Sequence, residues 1–337
     1  MAAPLRILLS KQVLPELEAD IGRLMVGRAH ELVSMESALE TGRTDLDLAF
    51  ISRDVTGRST KHEPSEALQA RYAILRRSPS LQWVHIHSAG ADRLVYVELH
   101  ARGVAVTTSS GVNAEVVAQT AIAGLLALAR RFPQLMAAQQ ARTWAPLLGD
   151  RTPHDLQGQT VVVVGWGPIG QRVASVLSLL GMKIIAVRHR PMASLDERDR
   201  ASGVEMAGID ALPSLAARCD WLVLACPLTE RTQGLVDRRL IAALPKGAGL
   251  VNVSRGEVVV ESDLIAALQS GHLGSAFLDV FEHEPLDSAS PLWHLPHVLL
   301  TPHSAGHADG NHKRVVKLFL DNLRRWRDGD VLANRVV

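Results

Sequence analysis

The stretch from Val161 to Gly170 constrains the fold more than any other part of the chain. It reads Val-Val-Val-Val-Gly-Trp-Gly-Pro-Ile-Gly, an apolar run that ends in G-x-G-x-x-G. The valines predict a buried strand, and the apolar spacing after Ile169 predicts a helix that ends at Gly181. A second apolar run, Lys183–Val187, comes directly after this predicted helix.

In a strand–turn–helix setting, glycines let the backbone approach a pyrophosphate, which the positive end of the helix then holds. The stretch therefore predicts a dinucleotide site, and the alternative is a glycine-rich structural turn. The residues predicted to line the site are Gly165, Gly167, Pro168, Ile169 and Gly170.

The end of the second apolar run indicates which dinucleotide is bound. A site that prefers NAD places an acid there, about 18–20 residues past the glycines, to bind the ribose hydroxyls. This chain has Arg188, His189 and Arg190 instead. Guanidinium groups suit a 2′-phosphate, so we predict that NADP(H) is preferred and NAD(H) is the second choice. The alternative is a solvated basic loop.

Apolar runs alternate with amphipathic stretches along the whole chain, which is typical of α/β domains with parallel sheets. We predict a first series of strands at Leu5–Leu9, Leu46–Ile51, Trp83–His87 and Val104–Thr107. A second series is predicted at Val161–Val164, Lys183–Val187, Trp221–Ala225, Leu250–Val253, Ser275–Val280 and Val298–Thr301. The sequence thus predicts two Rossmann- or flavodoxin-like domains.

Two helical patterns connect these series. Residues 113–139 form one predicted helix that is apolar nearly all round up to Arg130, and residues 309–327 form an amphipathic helix that would return to the first domain. We therefore predict a substrate domain of residues 1–105 plus 304–337, with a dinucleotide-binding domain of residues 106–303 inserted in it. A helix apolar on every side must be buried, which favours a homodimer.

Composition argues against several classes of protein. A length of 337 residues suggests about two domains, and a net charge of +1 gives no electrostatic footprint for nucleic acid or a membrane surface. The two cysteines cannot build a disulfide framework. The N-terminus lacks a signal-peptide pattern, and the apolar stretch Val116–Ala129 is shorter than the roughly 20 residues of a membrane span. We expect a soluble, cytoplasmic enzyme with a small-molecule partner.

Three further blocks carry chemistry at predicted strand ends. They are Leu250–Gly256, which delivers Arg255; Phe277–Leu286, which contains Asp279 and Glu284; and Leu300–Gly306, which contains His303. Open α/β sheets bind ligands at the carboxyl ends of their strands. Hydride addition to a ketone creates an alkoxide, so it needs a proton donor such as histidine and a positive charge such as arginine. The blocks therefore predict reduction of a 2-keto acid.

From about Ser88 to Gly306, these blocks and the run Ser109–Arg130 resemble the D-isomer-specific 2-hydroxyacid dehydrogenases, which include glyoxylate, hydroxypyruvate and phosphoglycerate enzymes. The resemblance implies that Arg255 binds the substrate carboxylate and polarises its carbonyl. It implies that His303 is the general acid and that Glu284 is its carboxylate partner. It also implies a product of D configuration and an active site in a cleft between the domains.

The same resemblance assigns further positions. Asp279 would orient the nicotinamide carboxamide, and the amides of the turn at Ser88, Ala89 and Gly90 would hold the substrate carboxylate. Additional contacts with the cofactor are implied for Cys226, Pro227, Thr232, Val253 and Ala305. Cys226 could otherwise be a nucleophile, but nothing near it in sequence would depress its pKa, so a small apolar filler is the better interpretation.

Several other histidines and tryptophans could be either structural or part of a binding site. The chain has 14 histidines, and we interpret His283, His294 and His297 as bystanders. His85 and His87 are structural or line the substrate site, and Trp144 and Trp293 line a pocket or pack. The histidines and acids lack metal-ligand spacing, so no metal is predicted.

Three competing functions are a dinucleotide-sensing co-repressor scaffold, a formate-type dehydrogenase and an NAD-linked phosphoglycerate dehydrogenase. The scaffold would carry long tails, whereas this sequence has none in its 337 residues. The formate-type enzyme would replace the acid at Glu284. A regulated phosphoglycerate enzyme would carry a further domain after Val337. We therefore expect a reductase of glyoxylate, hydroxypyruvate or a similar short keto acid.

Overall fold

The computed structural model describes residues 3–188 and 203–336. The chain divides into two compact units: unit 1 is Met1–Asn113 with Ala308–Val337, and unit 2 is Ala114–His307. Unit 2 is therefore inserted, in sequence, between the two segments of unit 1. The sequence-based boundary after residue 105 cuts a strand that ends at Thr107 and belongs to the sheet of unit 1.

Strands and helices alternate through the described residues. The strands are β1 (Leu5–Leu9), β2 (His30–Ser34), β3 (Leu48–Ile51), β4 (Trp83–Ile86), β5 (Ala105–Thr107), β6 (Thr160–Val164), β7 (Lys183–Arg188), β8 (Glu205–Gly208), β9 (Trp221–Leu224), β10 (Ala248–Asn252), β11 (Leu273–Leu278) and β12 (Val298–Leu300). The helices are α1 (Leu14–Leu24), α2 (Met35–Thr41), α3 (Arg53–Thr56), α4 (Glu66–Arg77), α5 (Leu94–Ala101), α6 (Ala114–Ala129), α7 (Phe132–Gln140), α8 (Pro168–Leu179), α9 (Leu212–Ala216), α10 (Arg238–Ala243), α11 (Glu261–Gln269) and α12 (Asn311–Asp328). Short 3₁₀ turns lie at Gly149–Arg151, Ile209–Ala211, Gly256–Val258 and Pro291–His294.

Unit 1 contains a five-stranded parallel sheet of order β2-β1-β3-β4-β5, the flavodoxin-like arrangement. The last helix, α12, packs on one face of this sheet, where the Phe319 ring stacks on Phe50 with a centroid separation of 4.5 Å. Trp83 joins the same cluster. The apolar face of the C-terminal helix is therefore buried in unit 1, as the sequence pattern predicts.

Unit 2 contains a seven-stranded parallel sheet of order β12-β11-β10-β9-β6-β7-β8. The chain builds outward from β6 in one direction and then returns to add β9 on its other side. The carboxyl ends of β6 and β9 therefore form a topological switch point, where such sheets bind ligands. Residues Val161–Val164 in β6 are at most 1% exposed because helices cover both faces. The prediction of two α/β domains with parallel sheets is confirmed.

The prediction of one continuous helix over residues 113–139 is wrong. The structure shows two helices, α6 and α7, separated at Arg131, whose φ is +57°. Pro133 lies in the first turn of α7. A proline there cannot donate to the carbonyl of Ala129 and its ring would collide with that carbonyl, so the first helix must end before it.

The sequence patterns do not predict two of the strands, and both lie at sheet edges. β2 and β8 contain mostly partly exposed residues, including His30, Glu31 and Glu205. An edge strand has fewer neighbours to bury it, so it lacks the apolar run by which the inner strands are recognised. Within residues 3–188 and 203–336, no helix is both long and apolar enough to cross a membrane.

Candidate active site

The turn between β6 and α8 brings its backbone against the end of β9. Gly165 has a φ of +107°, and a Cβ there would lie 2.6 Å from the carbonyl carbon of Ala225. A Cβ on Gly170 would collide with the carbonyl oxygen of Gly165. These two glycines are therefore required by the tight turn and by the close packing of α8 on the strand.

Gly167 differs from its two neighbours in the motif. Its backbone is extended, with φ −88° and ψ −174°, and a Cβ there would have no atom of the described residues within 4 Å. Protein packing therefore gives no reason for a glycine at this position. Among residues 3–188 and 203–336, no side chain caps the N-terminus of α8, and Pro168 occupies its first turn. Open space over Gly167, beside the positive end of a helix, fits the pyrophosphate of a dinucleotide.

Arg188 ends β7 next to the glycine turn. The Gly165 N–H donates to the carbonyl oxygen of Val187 at 2.8 Å, which places the two segments side by side. Arg188 is only 8% exposed, so it is not a solvated loop residue in this structure. The other two residues of the predicted phosphate-binding group, His189 and Arg190, lie outside the described residues.

The loop after β9 carries Cys226, Pro227 and Thr232. Burial raises the pKa of the Cys226 thiol to about 11, which supports its interpretation as a small filler and not a nucleophile. The buried Thr232 hydroxyl donates to the carbonyl oxygen of Pro227 at 2.7 Å and accepts from the Thr229 N–H at 2.7 Å. Thr232 therefore holds the shape of this loop.

Asn252, to which the sequence analysis assigned no role, shapes the turn that presents Arg255. It is 1% exposed at the end of β10. Its side-chain oxygen accepts from the Ser254 N–H at 3.0 Å and the Ser254 hydroxyl at 2.7 Å, and its Nδ2 donates to the Arg255 carbonyl at 3.0 Å. The sequence signal that could have predicted this role is an amide side chain at the end of an apolar strand, two residues before a serine. Val253, the predicted cofactor contact between them, is buried.

The turn at Arg255 lies directly against the segment that carries Glu284. A Cβ on Gly256 would collide with the backbone carbonyl of Phe281, so only glycine allows this approach. The Phe281 N–H in turn donates to Glu284 Oε1 at 3.2 Å. The structure thereby joins two of the three predicted catalytic blocks through backbone contact.

The third block is joined by a side-chain pair. His303 Nδ1 lies 2.8 Å from Glu284 Oε2. An ionised carboxylate only accepts hydrogen bonds, so Nδ1 is the donor in this pair and Nε2 is the nitrogen that faces other partners. The Glu284 side chain is 11% exposed and that of His303 is 48% exposed. A buried carboxylate thus supports an imidazole that is open to a substrate.

Asp279 builds the turn that holds His303. Its Oδ1 accepts from the Thr301 hydroxyl at 2.6 Å, the Ser304 N–H at 2.8 Å and the Ala305 N–H at 3.0 Å. The His303 N–H donates to the Asp279 carbonyl at 2.8 Å, and His303 itself has a φ of +50°. Burial raises the pKa of the Asp279 carboxyl, against the lowering effect of these hydrogen bonds. A positive φ at a non-glycine residue is uncommon and is often found at functional sites.

The turn predicted to hold a carboxylate lies in unit 1, after β4. The Ser88 hydroxyl donates to the carbonyl oxygen of Gly90 at 2.8 Å, and Ala89 at the tip is exposed. His87 Nε2 lies 2.8 Å from the Thr56 hydroxyl. His85 is fully buried with Nδ1 2.7 Å from the Thr107 hydroxyl, and burial lowers its pKa to about 3. These contacts favour the structural interpretation of His85.

The bystander residues are spread over the surface of unit 2. Trp144 is 93% exposed and Trp293 is half exposed, so neither packs into a core. His294 is exposed, and His297 Nε2 lies 3.2 Å from the Leu268 carbonyl. Over the described part of the chain, no three His, Cys, Asp or Glu side chains converge as metal ligands would.

Comparisons with known proteins agree with this geometry. Residues 122–305 match the family model described as D-isomer specific 2-hydroxyacid dehydrogenase, NAD binding domain. Glyoxylate/hydroxypyruvate reductase B of Yersinia enterocolitica is 33% identical over 78% of this chain and 80% of its own length.

Solved structures agree over the full length of the chain. A D-isomer specific 2-hydroxyacid dehydrogenase from Xanthobacter autotrophicus, in complex with NADPH and MES, superposes with a TM-score of 0.74 at 27% identity. The alignment covers 100% of this chain and 98% of that one. An NADPH-dependent glyoxylate/hydroxypyruvate reductase from Sinorhizobium meliloti, in complex with NADP and sulfate, gives a TM-score of 0.75 at 25% identity, covering 99% and 98%.

The glycine turn at the switch point and the Glu284–His303 pair thus occur in a chain whose relatives are 2-hydroxyacid dehydrogenases in both sequence and structure. The chain belongs to the D-isomer specific 2-hydroxyacid dehydrogenase family and is an NAD(P)-dependent oxidoreductase of 2-hydroxy and 2-keto acids.

Proposed function

We propose that the chain is an NADPH-linked reductase that converts glyoxylate, hydroxypyruvate or a similar short 2-keto acid into the D-2-hydroxy acid. The observation that carries the proposal is the 2.8 Å contact between His303 Nδ1 and Glu284 Oε2. Glu284 follows β11 and His303 follows β12, and in a parallel sheet this is the same edge at which the glycine turn follows β6. The names of the Yersinia and Sinorhizobium relatives support the substrate class.

The pair is suited to deliver a proton at the carbonyl oxygen. When bound, a nicotinamide cofactor would supply the hydride for the carbonyl carbon. As negative charge develops on the oxygen, His303 Nε2 gives its proton to that oxygen. Before this transfer, Glu284 stabilises the protonated imidazole of His303 and fixes its orientation through Nδ1. The product leaves His303 neutral, and the ring takes a proton from solvent before the next cycle.

Arg255, which follows β10 at the same edge of the sheet, is proposed to supply a fixed positive charge to the substrate. Arginine stays protonated and can grip a carboxylate with two N–H groups, which orients the substrate carbonyl. Asn252 and the close approach at Gly256 hold the backbone from which the guanidinium extends. In the proposed reaction, Arg255 binds the carboxylate and polarises the carbonyl, and His303 completes the reduction.

The experiment follows absorbance at 340 nm with glyoxylate, hydroxypyruvate, pyruvate and phenylpyruvate, each with NADPH and NADH. His303→Asn is the informative variant, because asparagine accepts the left-handed backbone that His303 adopts but cannot act as an acid. We expect turnover to fall by about 100-fold or more while NADPH still binds. His294→Asn, at an exposed histidine, is the control and should be fully active. Absence of cofactor oxidation with every keto acid would refute the proposal.

The preference for NADPH is proposed from Arg188. Its place at the end of β7, beside the glycine turn, is where a ribose-binding acid would stand in an NAD site. Arg188→Gln should lower kcat/KM for NADPH about tenfold and leave that for NADH nearly unchanged. Arg172→Gln, on the surface of α8 and paired with Glu115, is the matched control. An equal loss with both cofactors would contradict the assignment.

We also propose a homodimer. The apolar surface of α6 is largely covered within unit 2 by α8 and β11, so it does not itself demand a partner. Large apolar side chains remain exposed in the segment that follows, at Phe132, Met136, Trp144 and Leu148. Light scattering should give about twice the 36.5 kDa chain mass. A monomeric mass for the wild-type chain at micromolar concentration would exclude the dimer.

A further inference from the structure

A polar residue interrupts the most apolar helix of unit 2. Thr120 lies within the stretch Val116–Ala129 of α6 and is half-buried. Neither the glycine turn nor the catalytic pair accounts for a hydroxyl at this position. Its surroundings connect it to the turn that carries His303.

Helix α6 lies unusually close to the sheet at Gly124. A Cβ at that position would collide with the ring of Phe277 in β11, so a glycine is needed for the approach. Thr120 precedes Gly124 by four residues and therefore lies one helical turn away on the same face. The contact at Gly124 consequently directs the Thr120 side chain toward the sheet.

The Thr120 hydroxyl reaches the backbone just after His303. Its Oγ1 lies 3.0 Å from the Ala305 carbonyl oxygen and 3.2 Å from the Val116 carbonyl in its own helix. A hydroxyl has one hydrogen, so these two acceptors share it. Ala305 is 2% exposed, and a buried carbonyl that loses its donor is left without a hydrogen bond, which is unfavourable.

The His303 turn is therefore held from two sides. Asp279 binds the N–H groups of Ser304 and Ala305, whereas Thr120 binds the carbonyl of Ala305. With its N–H and its carbonyl both fixed, Ala305 anchors the end of a turn whose first part has a positive φ at His303. Loss of either anchor would let the imidazole move relative to Glu284.

We propose that Thr120 is a positioning residue, whose hydrogen bond to Ala305 keeps the His303 imidazole where it can deliver its proton. The inference rests on the proposed role of His303 as the acid. Thr120 itself does not touch the reacting atoms. What it contributes is the donor, since valine would fill nearly the same volume without one.

Three variants separate the hydrogen bond from packing. Thr120→Val removes the donor and keeps the shape, and Thr120→Ser keeps the donor. Thr41→Val is the matched control, because the Thr41 hydroxyl donates to the Ser37 carbonyl of its own helix at 2.7 Å. This variant therefore tests the loss of a hydrogen bond within a helix. We expect Thr120→Val to lower kcat by about tenfold to a hundredfold. The NADPH dissociation constant should change much less than kcat, since the glycine turn that would hold the pyrophosphate is untouched. Thr120→Ser and Thr41→Val should keep most of the wild-type kcat.

An NMR measurement on His303, which does not depend on activity, distinguishes failure of the positioning role from failure of the proposed function. The ring ¹⁵N signals of His303, assigned by their absence in His303→Asn, should shift or broaden in Thr120→Val and stay in place in Thr120→Ser. If the wild-type chain reduces no keto acid, the proposed function fails while these signals still test the positioning. Wild-type turnover and unshifted His303 signals in Thr120→Val would overturn the inference. Parallel losses of kcat, NADPH affinity and melting temperature that serine does not restore would also overturn it, because they would indicate helix packing alone.

Discussion

Because of the open space over Gly167, a substitution there should weaken cofactor binding without changing the stability of the fold. The change is Gly167→Ala. The extended backbone at residue 167, φ −88° and ψ −174°, suits alanine, and the new Cβ would have no neighbour within 4 Å in the part of the chain that the structure describes. Restricting the unfolded chain stabilises the variant by about 0.4–1 kcal/mol. Alanine is a poorer helix N-cap than glycine, which offsets a similar amount. The free energy of unfolding should therefore change by less than about 1 kcal/mol.

Cofactor binding should respond very differently. The Cβ of alanine would occupy the space through which the backbone approaches the pyrophosphate. We expect the dissociation constant of NADPH to rise at least tenfold, which corresponds to about 1.4 kcal/mol. Titration calorimetry with NADPH and NADH measures the affinity, and thermal unfolding of the same samples measures the stability.

Two further glycine variants serve as controls. Gly170→Ala places a Cβ against the Gly165 carbonyl oxygen and should destabilise unit 2. Gly22→Ala, within α1 of unit 1, would place its Cβ more than 4 Å from the neighbouring atoms of other described elements and should leave cofactor affinity unchanged. If Gly167→Ala binds NADPH within twofold of the wild-type affinity, the pyrophosphate does not cross this residue. If it unfolds as readily as Gly170→Ala, the reasoning about open space is wrong.

Three more predictions concern polar groups of the two units. Glu284→Gln should lower kcat about 100-fold with little change in NADPH affinity, because glutamine cannot stabilise a protonated His303; equal kcat values would contradict the pairing. Asn252→Ala should raise the KM for the keto acid about tenfold by loosening the Arg255 turn, and steady-state kinetics at saturating NADPH would show it. His85 has a pKa of about 3 when folded, against an ordinary 6.5, so the unfolded chain takes up its proton first as the pH falls below 6.5. Unfolding of unit 1 should therefore become easier by about 2 kcal/mol between pH 7 and pH 5, and urea titrations of His85→Gln should lack this contribution.

Much of unit 2 follows from local sequence. The strand β6, the glycine turn and α8 are predicted within a residue or two because a buried strand must be apolar throughout and a tight turn requires Gly165. The strand-end placement of Arg255 and His303 is predicted for the same reason. The edge strands β2 and β8 are missed because their half-exposed residues lack an apolar run.

The sequence by itself determined the fold class, the dinucleotide turn and the three blocks that carry Arg255, Glu284 and His303, since each depends on residues close together in the chain. Tertiary structure alone decided how those blocks meet: Gly256 against Phe281, Glu284 against His303, and Thr120 against Ala305 across 185 positions of sequence. Such contacts depend on strand order and helix placement, and no local pattern of residues encodes them.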